Sequence, residues 1–321
     1  MKIRARLAAA ALGLGIALGA AAQKYPDKPV RVINPFPSGG SGDTVARIVF
    51  EKVGASMGAS FIIESRAGGG GVIGTEYVAK QAPDGYTLVW GTSSTMAVNP
   101  GIRKDLPYHP ERDFTPVVMI VKAPWLLLVH PDVPAKDFKE LVAWSKANPG
   151  RMNYGSYGPG TSNHLGFELL RSLSGLDATH VPYKGGNPML AALLGGQVHA
   201  TLDLPATVLS HVKSGKLRLL GVASARRFPV LPDAPTLAEQ GTPMDSGSWF
   251  SISGPAGLPQ PIVQTLNAEI NKALALPEVR ERLVQLGNEV VGGPPSVLAE
   301  TIAREMPLWT KVMRERNLKL D

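Results

Sequence analysis

Three stretches place glycine and hydroxyl residues where the flanking pattern predicts a strand running into a helix. They are Pro35-Phe36-Pro37-Ser38-Gly39-Gly40-Ser41-Gly42, Gly91-Thr92-Ser93-Ser94-Thr95 and Tyr157-Gly158-Pro159-Gly160-Thr161-Ser162-Asn163. A helix N-terminus carries unpaired backbone N–H groups and the positive end of the helix dipole, so a glycine-rich loop there can receive a carboxylate or phosphate. Loops of this kind, contributed by two domains to one cleft, can hold both ends of a dianion. The plainer account is that glycine and serine only make tight turns between strand and helix. One loop fits either account; the set favours the anion.

Other chemistries fail on spacing. Gly69-Gly70-Gly71-Val72-Ile73-Gly74 formally matches G-x-G-x-x-G after the strand-like Phe61-Ile62-Ile63-Glu64. The next strand, Tyr86 to Trp90, ends in Gly91-Thr92 without the acidic residue that would hold a ribose hydroxyl, which argues against a dinucleotide. No P-loop spacing occurs. The nearest approach to G-x-S-x-G, Gly39-Gly40-Ser41-Gly42-Asp43, fails at its last position. The six histidines (His109, His130, His164, His180, His199 and His211) lack metal-ligand clustering. Only His164 stands out, at the mouth of the third glycine-rich loop, where local packing at a helix start would also explain it. No catalytic residue, metal or cofactor is expected. A secreted hydrolase or isomerase built on Ser93 or His164 is the enzymatic alternative.

The elements that must position these loops read as α/β. Val30-Arg31-Val32-Ile33-Asn34 is β-branched and precedes a helix starting near Asp43, with Val45, Ile48, Val49 and Val53 at helical spacing and Asp43 as its N-cap. Thr87-Leu88-Val89-Trp90 leads into the second loop, and Met152 to Ser156 into the third. The helix after that runs from His164 to Leu173 with Leu165, Leu169, Leu170 and Leu173 on one side. The apolar stretch Thr115 to His130, broken at Ala123-Pro124, predicts two strands meeting at a crossover between domains. Ser248 to Ser253 predicts a second crossing, so the first domain is discontinuous. Helical segments at 261–274, 277–286 and 296–316 should pack back on it.

Composition sets the compartment. Lys2, Arg4 and Arg6 precede an apolar run from Leu7 to Leu18 and the small residues Ala20-Ala21-Ala22, the pattern of a secretory leader over residues 1–22, cut near Ala22. The run is shorter than the roughly 20 residues a spanning helix needs. The chain has no cysteine, so stability in an oxidising compartment must come from core burial. The leader holds three basic residues and no acidic one, and its loss lowers the net charge from +7 to +4. That mild excess favours a small anion, and the scattered Lys and Arg, without interleaved aromatics, exclude a nucleic-acid surface.

With these residues laid out, the chain resembles the tripartite tricarboxylate transporter substrate-binding family, the Bug receptors, from about Tyr25 to the C-terminus. The matching blocks include Tyr25 to Arg31, Pro35 to Gly40 with Asp43, Ala82 to Leu88, Gly160-Thr161 with His164-Leu165, Val181 to Gly186, Leu194 to Val198 and Leu231 to Thr236. The resemblance implies a two-lobed periplasmic-binding-protein fold of type II, a Venus flytrap with two crossing strands. Lobe 1 would span 23–123 and 248–321, and lobe 2 124–247. It implies a periplasmic monomer that captures a small carboxylate, aliphatic or aromatic, and delivers it to a permease with one large and one small membrane subunit. A periplasmic sensor for a signalling system is the alternative use of such a clamp. The implied ligand contacts are Phe36, Pro37, Ser38, Gly39 and Gly40 with Thr92, Ser93 and Ser94 from lobe 1. Lobe 2 would supply Tyr157, Gly158, Gly160, Thr161, Ser162, His164 and Asp203. Tyr157 stands where the family often has a small residue, and Trp125 and Trp249 lie near the crossings, which admits an aromatic ligand; both tryptophans could instead pack inside the hinge. Lys184 would serve the lobe surface, permease docking or the pocket.

Overall fold

The computed structural model describes residues 25–315; the leader expected over residues 1–22 lies outside them. The first body is built on β1 (Val30–Asn34), α1 (Ser41–Met57), β2 (Phe61–Ser65), α2 (Val72–Ala79) and β3 (Thr87–Thr92). β1 lies between β2 and β3 with all three parallel, and every residue of β3 is buried, as expected of a strand covered on both faces. A π-helical turn (Ser94–Val98) and two short helices (Asn99–Ile102 and Pro110–Asp113) lead to β4 (Phe114–Pro124).

The helix after the first loop begins earlier than its apolar period predicts. Gly40 occupies the N-cap, and Asp43, expected there, lies within the first turn. The reason is the carboxylate's reach: Asp43 accepts the Gly39 N–H at 3.0 Å and pairs with Arg47 Nε at 2.9 Å, so it fastens the loop from inside the helix. Val45, Ile48, Val49 and Val53 are buried on the sheet side, and each contributes roughly 1.5–3 kcal/mol of apolar burial. Gly58 ends the helix at φ 63°, donating its N–H to Gly54 O.

After Trp125 the chain enters a second sheet: β5 (Leu126–Val129), α3 (Phe138–Ala147), β6 (Asn153–Ser156), α4 (Ser162–Ser174), β7 (Thr179–Pro182), α5 (Gly186–Leu194), β8 (Ala200–Asp203), α6 (Pro205–Lys213) and β9 (Arg218–Val222). It then returns through β10 (Gly247–Pro255), α7 (Gln260–Ala275), α8 (Pro277–Gln285), β11 (Glu289–Val290) and α9 (Pro295–Glu315). The sheet orders are β11-β4-β10-β3-β1-β2 and β7-β6-β8-β5-β9. The fold is α/β and two-lobed.

The two passages between sheets lie side by side. Trp125 N–H donates to Ser246 O at 3.1 Å, Ala223 N–H to Trp125 O at 2.8 Å, and Ser246 N–H to Ala223 O at 3.1 Å. The last helix packs Leu298 and Ile302 into the first body with Ile33, Val89 and Trp249, so the C-terminal segment does return to that lobe.

Candidate functional site

Strand ends of both sheets converge on one cavity of about 680 Å³, mouth included. Asn34 ends β1, Thr92 ends β3, Tyr157 follows β6 and Asp203 ends β8. This is where α/β sheets usually bind ligands, outside the carboxyl ends of the strands. Lobe 1 adds Phe36, Pro37, Gly40, Ser41, Gly42, Asp43, Trp90 and Ser94, with Ser248 and Phe250 from β10. Lobe 2 adds Ser162, Gly186, Asn187, Leu190, Leu204 and Thr207, and Trp125 at the crossing forms part of the wall.

The lobes meet around this cavity. Ser162 N–H donates to Ser94 Oγ at 2.9 Å, and the two hydroxyls share a further bond of 2.9 Å. Arg103 Nη2 donates to Pro159 O at 2.9 Å, and Asn187 Nδ2 to Ser38 O at 2.9 Å. Gly70, from the G-x-G-x-x-G stretch, has φ 67° and sits so close to lobe 2 that a Cβ would stand 3.1 Å from Pro159 O. Gly70 thus permits an interlobe approach, while Gly71 and Gly74 of the same stretch pack within lobe 1 against Phe36, Thr95 and Pro35.

The sequence-predicted residues divide into two groups. Phe36, Pro37, Gly40, Thr92, Ser94, Tyr157, Ser162 and Asp203 line the cavity; Ser38, Gly39, Ser93, Gly158, Gly160, Thr161 and His164 do not. Ser93 Oγ bonds Ser248 Oγ at 2.7 Å. In the third loop Gly158 N–H donates to Ser156 Oγ, Gly160 N–H to His164 Nδ1, and the Thr161 side chain caps α4. Its amides therefore serve the loop and the lobe contact. His164 is fully buried behind it, stacked on His180 at 4.0 Å, and burial depresses its pKa to about 3, so the ring is neutral. Ser93 and His164 each bond to a partner that would not activate a nucleophile. Trp249 faces away from the cavity and donates to Glu305 Oε2 at 2.9 Å, while Lys184 is exposed and does not line it.

Asp203 and Tyr157 both face the cavity. Asp203 Oδ1 accepts from Tyr157 Oη, from Leu204 N at 2.6 Å and from Thr207 Oγ1 at 3.0 Å. Burial raises its carboxyl to about 6 against those three donors, and burial with the nearby carboxylate raises the Tyr157 hydroxyl. Four lining residues carry buried donors with no partner among the described residues: Asn34 Nδ2, Ser41 Oγ, Trp90 Nε1 and Trp125 Nε1. Buried donors normally find an acceptor, so this set suits a ligand rich in acceptor oxygens. Sequence reading missed Asn34, Ser41, Trp90, Asn187, Thr207 and Phe250 as site residues. Asn34 and Trp90 were readable only as strand residues, although a polar residue closing a β-branched run at a switch point was a usable signal.

Residues 45–318 match the family described as the tripartite tricarboxylate transporter family receptor. The chain belongs to that receptor family. It is 37% identical to BugT of Bordetella pertussis over 308 residues, 95% of this chain and 94% of BugT. Among solved structures, R. palustris Rpa4515 with adipate superposes with a TM-score of 0.88 at 35% identity, covering 91% of this chain and 98% of that one. MatC from Rhodopseudomonas palustris with bound malate gives 0.86 at 35%, covering 90% and 99%. The family is one of periplasmic transport receptors, and both neighbours hold carboxylates.

Proposed function

We propose that this receptor captures a small carboxylate in the interlobe cavity and delivers it to a tripartite tricarboxylate-type permease of one large and one small subunit. The observation that carries the reading is the set of buried, unpartnered donors, Asn34 Nδ2, Ser41 Oγ and Trp90 Nε1, beside the N-terminus of α1. A carboxylate there would gain charge-assisted hydrogen bonds of roughly 1.5–3 kcal/mol each, and a few suffice for micromolar binding, about 8 kcal/mol. Neutral donors can thus hold the anion without a buried arginine. Ligand contacts are assigned to Phe36, Pro37, Gly40, Thr92, Ser94, Tyr157, Ser162 and Asp203, which line the cavity.

Binding and closure are one event in this scheme. The Ser94–Ser162 and Arg103–Pro159 bonds form only when the lobes meet, so a ligand touching both lobes shifts the population toward the closed clamp. We assign residues 23–123 and 248–321 to lobe 1 and 124–247 to lobe 2, and take the protein to act as an exported monomer after loss of its leader. The test is a thermal-shift screen against dicarboxylates, tricarboxylates, aromatic acids, amino acids and NAD. A rise with one carboxylate class is expected, since a ligand of the folded state raises the melting temperature. A response to NAD alone would overturn the proposal.

A further inference from the structure

The cavity walls narrow the carboxylate class, given the receptor reading above on which this step rests. Two aromatic pairs face the same space. On lobe 1, Trp90 and Phe250 stack with centroids 5.6 Å apart; at the crossing and lobe 2, Trp125 meets Tyr157 edge-on at 6.3 Å. A flat ring between such walls is favoured by offset and edge-to-face contacts that a short hydroxylated chain cannot make.

Charge decides the rest. Asp43 and Asp203 are the only charged residues among the described residues lining the cavity. Asp43 is already satisfied by Arg47 and the Gly39 N–H. Asp203 takes its three donors on Oδ1, and its Oδ2 has no hydrogen bond among the described residues. A second carboxylate on the ligand would meet this acceptor with no cation lining the cavity to offset the repulsion. A hydroxyl or N–H would instead donate to it. On the other lobe, Asn34 is 2% and Ser41 8% exposed, and their free donors suit a single carboxylate.

We infer that the ligand is an aromatic monocarboxylate bearing a hydrogen-bond donor on the far side of its ring, carboxylate toward Asn34 and Ser41, donor toward Asp203 Oδ2, ring between Trp90 and Trp125. Asp203 is then the specificity-determining residue.

Calorimetric titration of the purified protein with 4-hydroxybenzoate, benzoate, terephthalate, adipate and malate tests this. 4-Hydroxybenzoate should bind roughly tenfold tighter or more than each of the others, the size of one hydrogen bond to a charged group. Asp203→Asn keeps an acceptor for Tyr157, Leu204 and Thr207 but can turn its amide N–H toward the ligand, so the preference should invert toward terephthalate, which a purely structural role would not produce. The wild-type ranking is decisive alone if D203N does not fold. Tighter binding of adipate or malate than of either aromatic monoacid would overturn the inference and leave the receptor reading standing. Equal affinity for benzoate and 4-hydroxybenzoate would remove Asp203 from recognition. Failure of every acid to bind would overturn both readings.

Discussion

Ser94 Oγ accepts the Ser162 N–H at 2.9 Å while sharing a second 2.9 Å bond with the Ser162 hydroxyl, which joins the turn after β3 to the first residue of α4. Both residues are buried and both line the cavity, so the lobe contact and the cavity wall share the same two residues.

Ser94→Ala should therefore weaken binding of the tightest acid by roughly tenfold, from the loss of hydrogen bonds of about 0.5–1.5 kcal/mol each. Direct ligand contact would give a similar loss, so the discriminating measurement is a double-mutant cycle with Ser162→Ala. Coupling of about 1 kcal/mol is expected if the two act through each other, and additive losses would mean they act separately on the ligand.

Arg103 and Gly70 test closure without touching the wall, since neither lines the cavity. Arg103→Ala removes the bond to Pro159 O, and Gly70→Ala places a Cβ 3.1 Å from the same carbonyl at φ 67°. A left-handed alanine costs about 1–2 kcal/mol besides. Each variant should bind roughly tenfold more weakly with the same ranking of ligands, read by calorimetry. Unchanged affinity in both would show that this side of the cleft does not close on the ligand.

The parts of this design that local pattern controls were readable in advance. A β-branched run into glycine and serine, followed by Val45, Ile48, Val49 and Val53 at helical spacing, specifies strand, loop and helix without tertiary help. The family blocks then implied ligand contacts on those loops. What could not be read is side-chain direction across two lobes. His164 and Tyr157 bracket one loop, yet the ring of His164 turns back to Gly160 and His180 while Tyr157 faces the cavity. Trp90 reads as a strand residue and nothing more until β10 brings Phe250 beside it from 160 residues downstream. In the third loop the Gly158 and Gly160 amides bond locally, to Ser156 and His164, whereas the Ser162 amide takes a tertiary partner, Ser94.

Asp203 makes a prediction about pH. Burial holds its folded pKa near 6, above the ordinary 3.8, so the folded protein binds this proton more tightly than the unfolded chain does. Its contribution to stability is fully present below about pH 4 and is lost as pH rises through about 6. The displacement corresponds to roughly 3 kcal/mol at most. Asp203→Asn carries no charge and retains the acceptor, so the stability of D203N relative to wild type should rise between pH 4 and about 6 and then level. Denaturant unfolding at pH 4, 5, 6 and 7.5 measures it. A difference flat in pH would mean that the carboxyl titrates alike in both states.

His164 titrates in the opposite sense. Its folded pKa near 3 lies below the ordinary 6.5, so its contribution is present above about pH 6.5 and is lost as pH falls toward 3. His164→Phe keeps an aromatic ring against His180 but loses the Gly160 bond, and should be less stable at pH 7 by about 1–3 kcal/mol. The deficit should shrink on acidification, because the wild type alone must then hold a neutral ring against protonation. A deficit that stays constant from pH 7 to pH 4.5 would contradict the buried neutral imidazole.

Gly42 separates the cavity wall from the fold that carries it. It lies in the first turn of α1 with no positive φ to protect, so alanine should suit the helix better by up to about 1 kcal/mol. Its Cβ, however, would stand 2.9 Å from Trp90 Nε1 and 3.3 Å from the Phe250 ring, so the indole must move off its place in the wall. Gly42→Ala should therefore melt within a few degrees of wild type while binding its best acid at least roughly tenfold more weakly, with an altered tryptophan emission spectrum. Wild-type affinity in G42A would show that Trp90 Nε1 does not meet the ligand. An equal loss of stability and affinity would instead place Gly42 in the packing of the lobe.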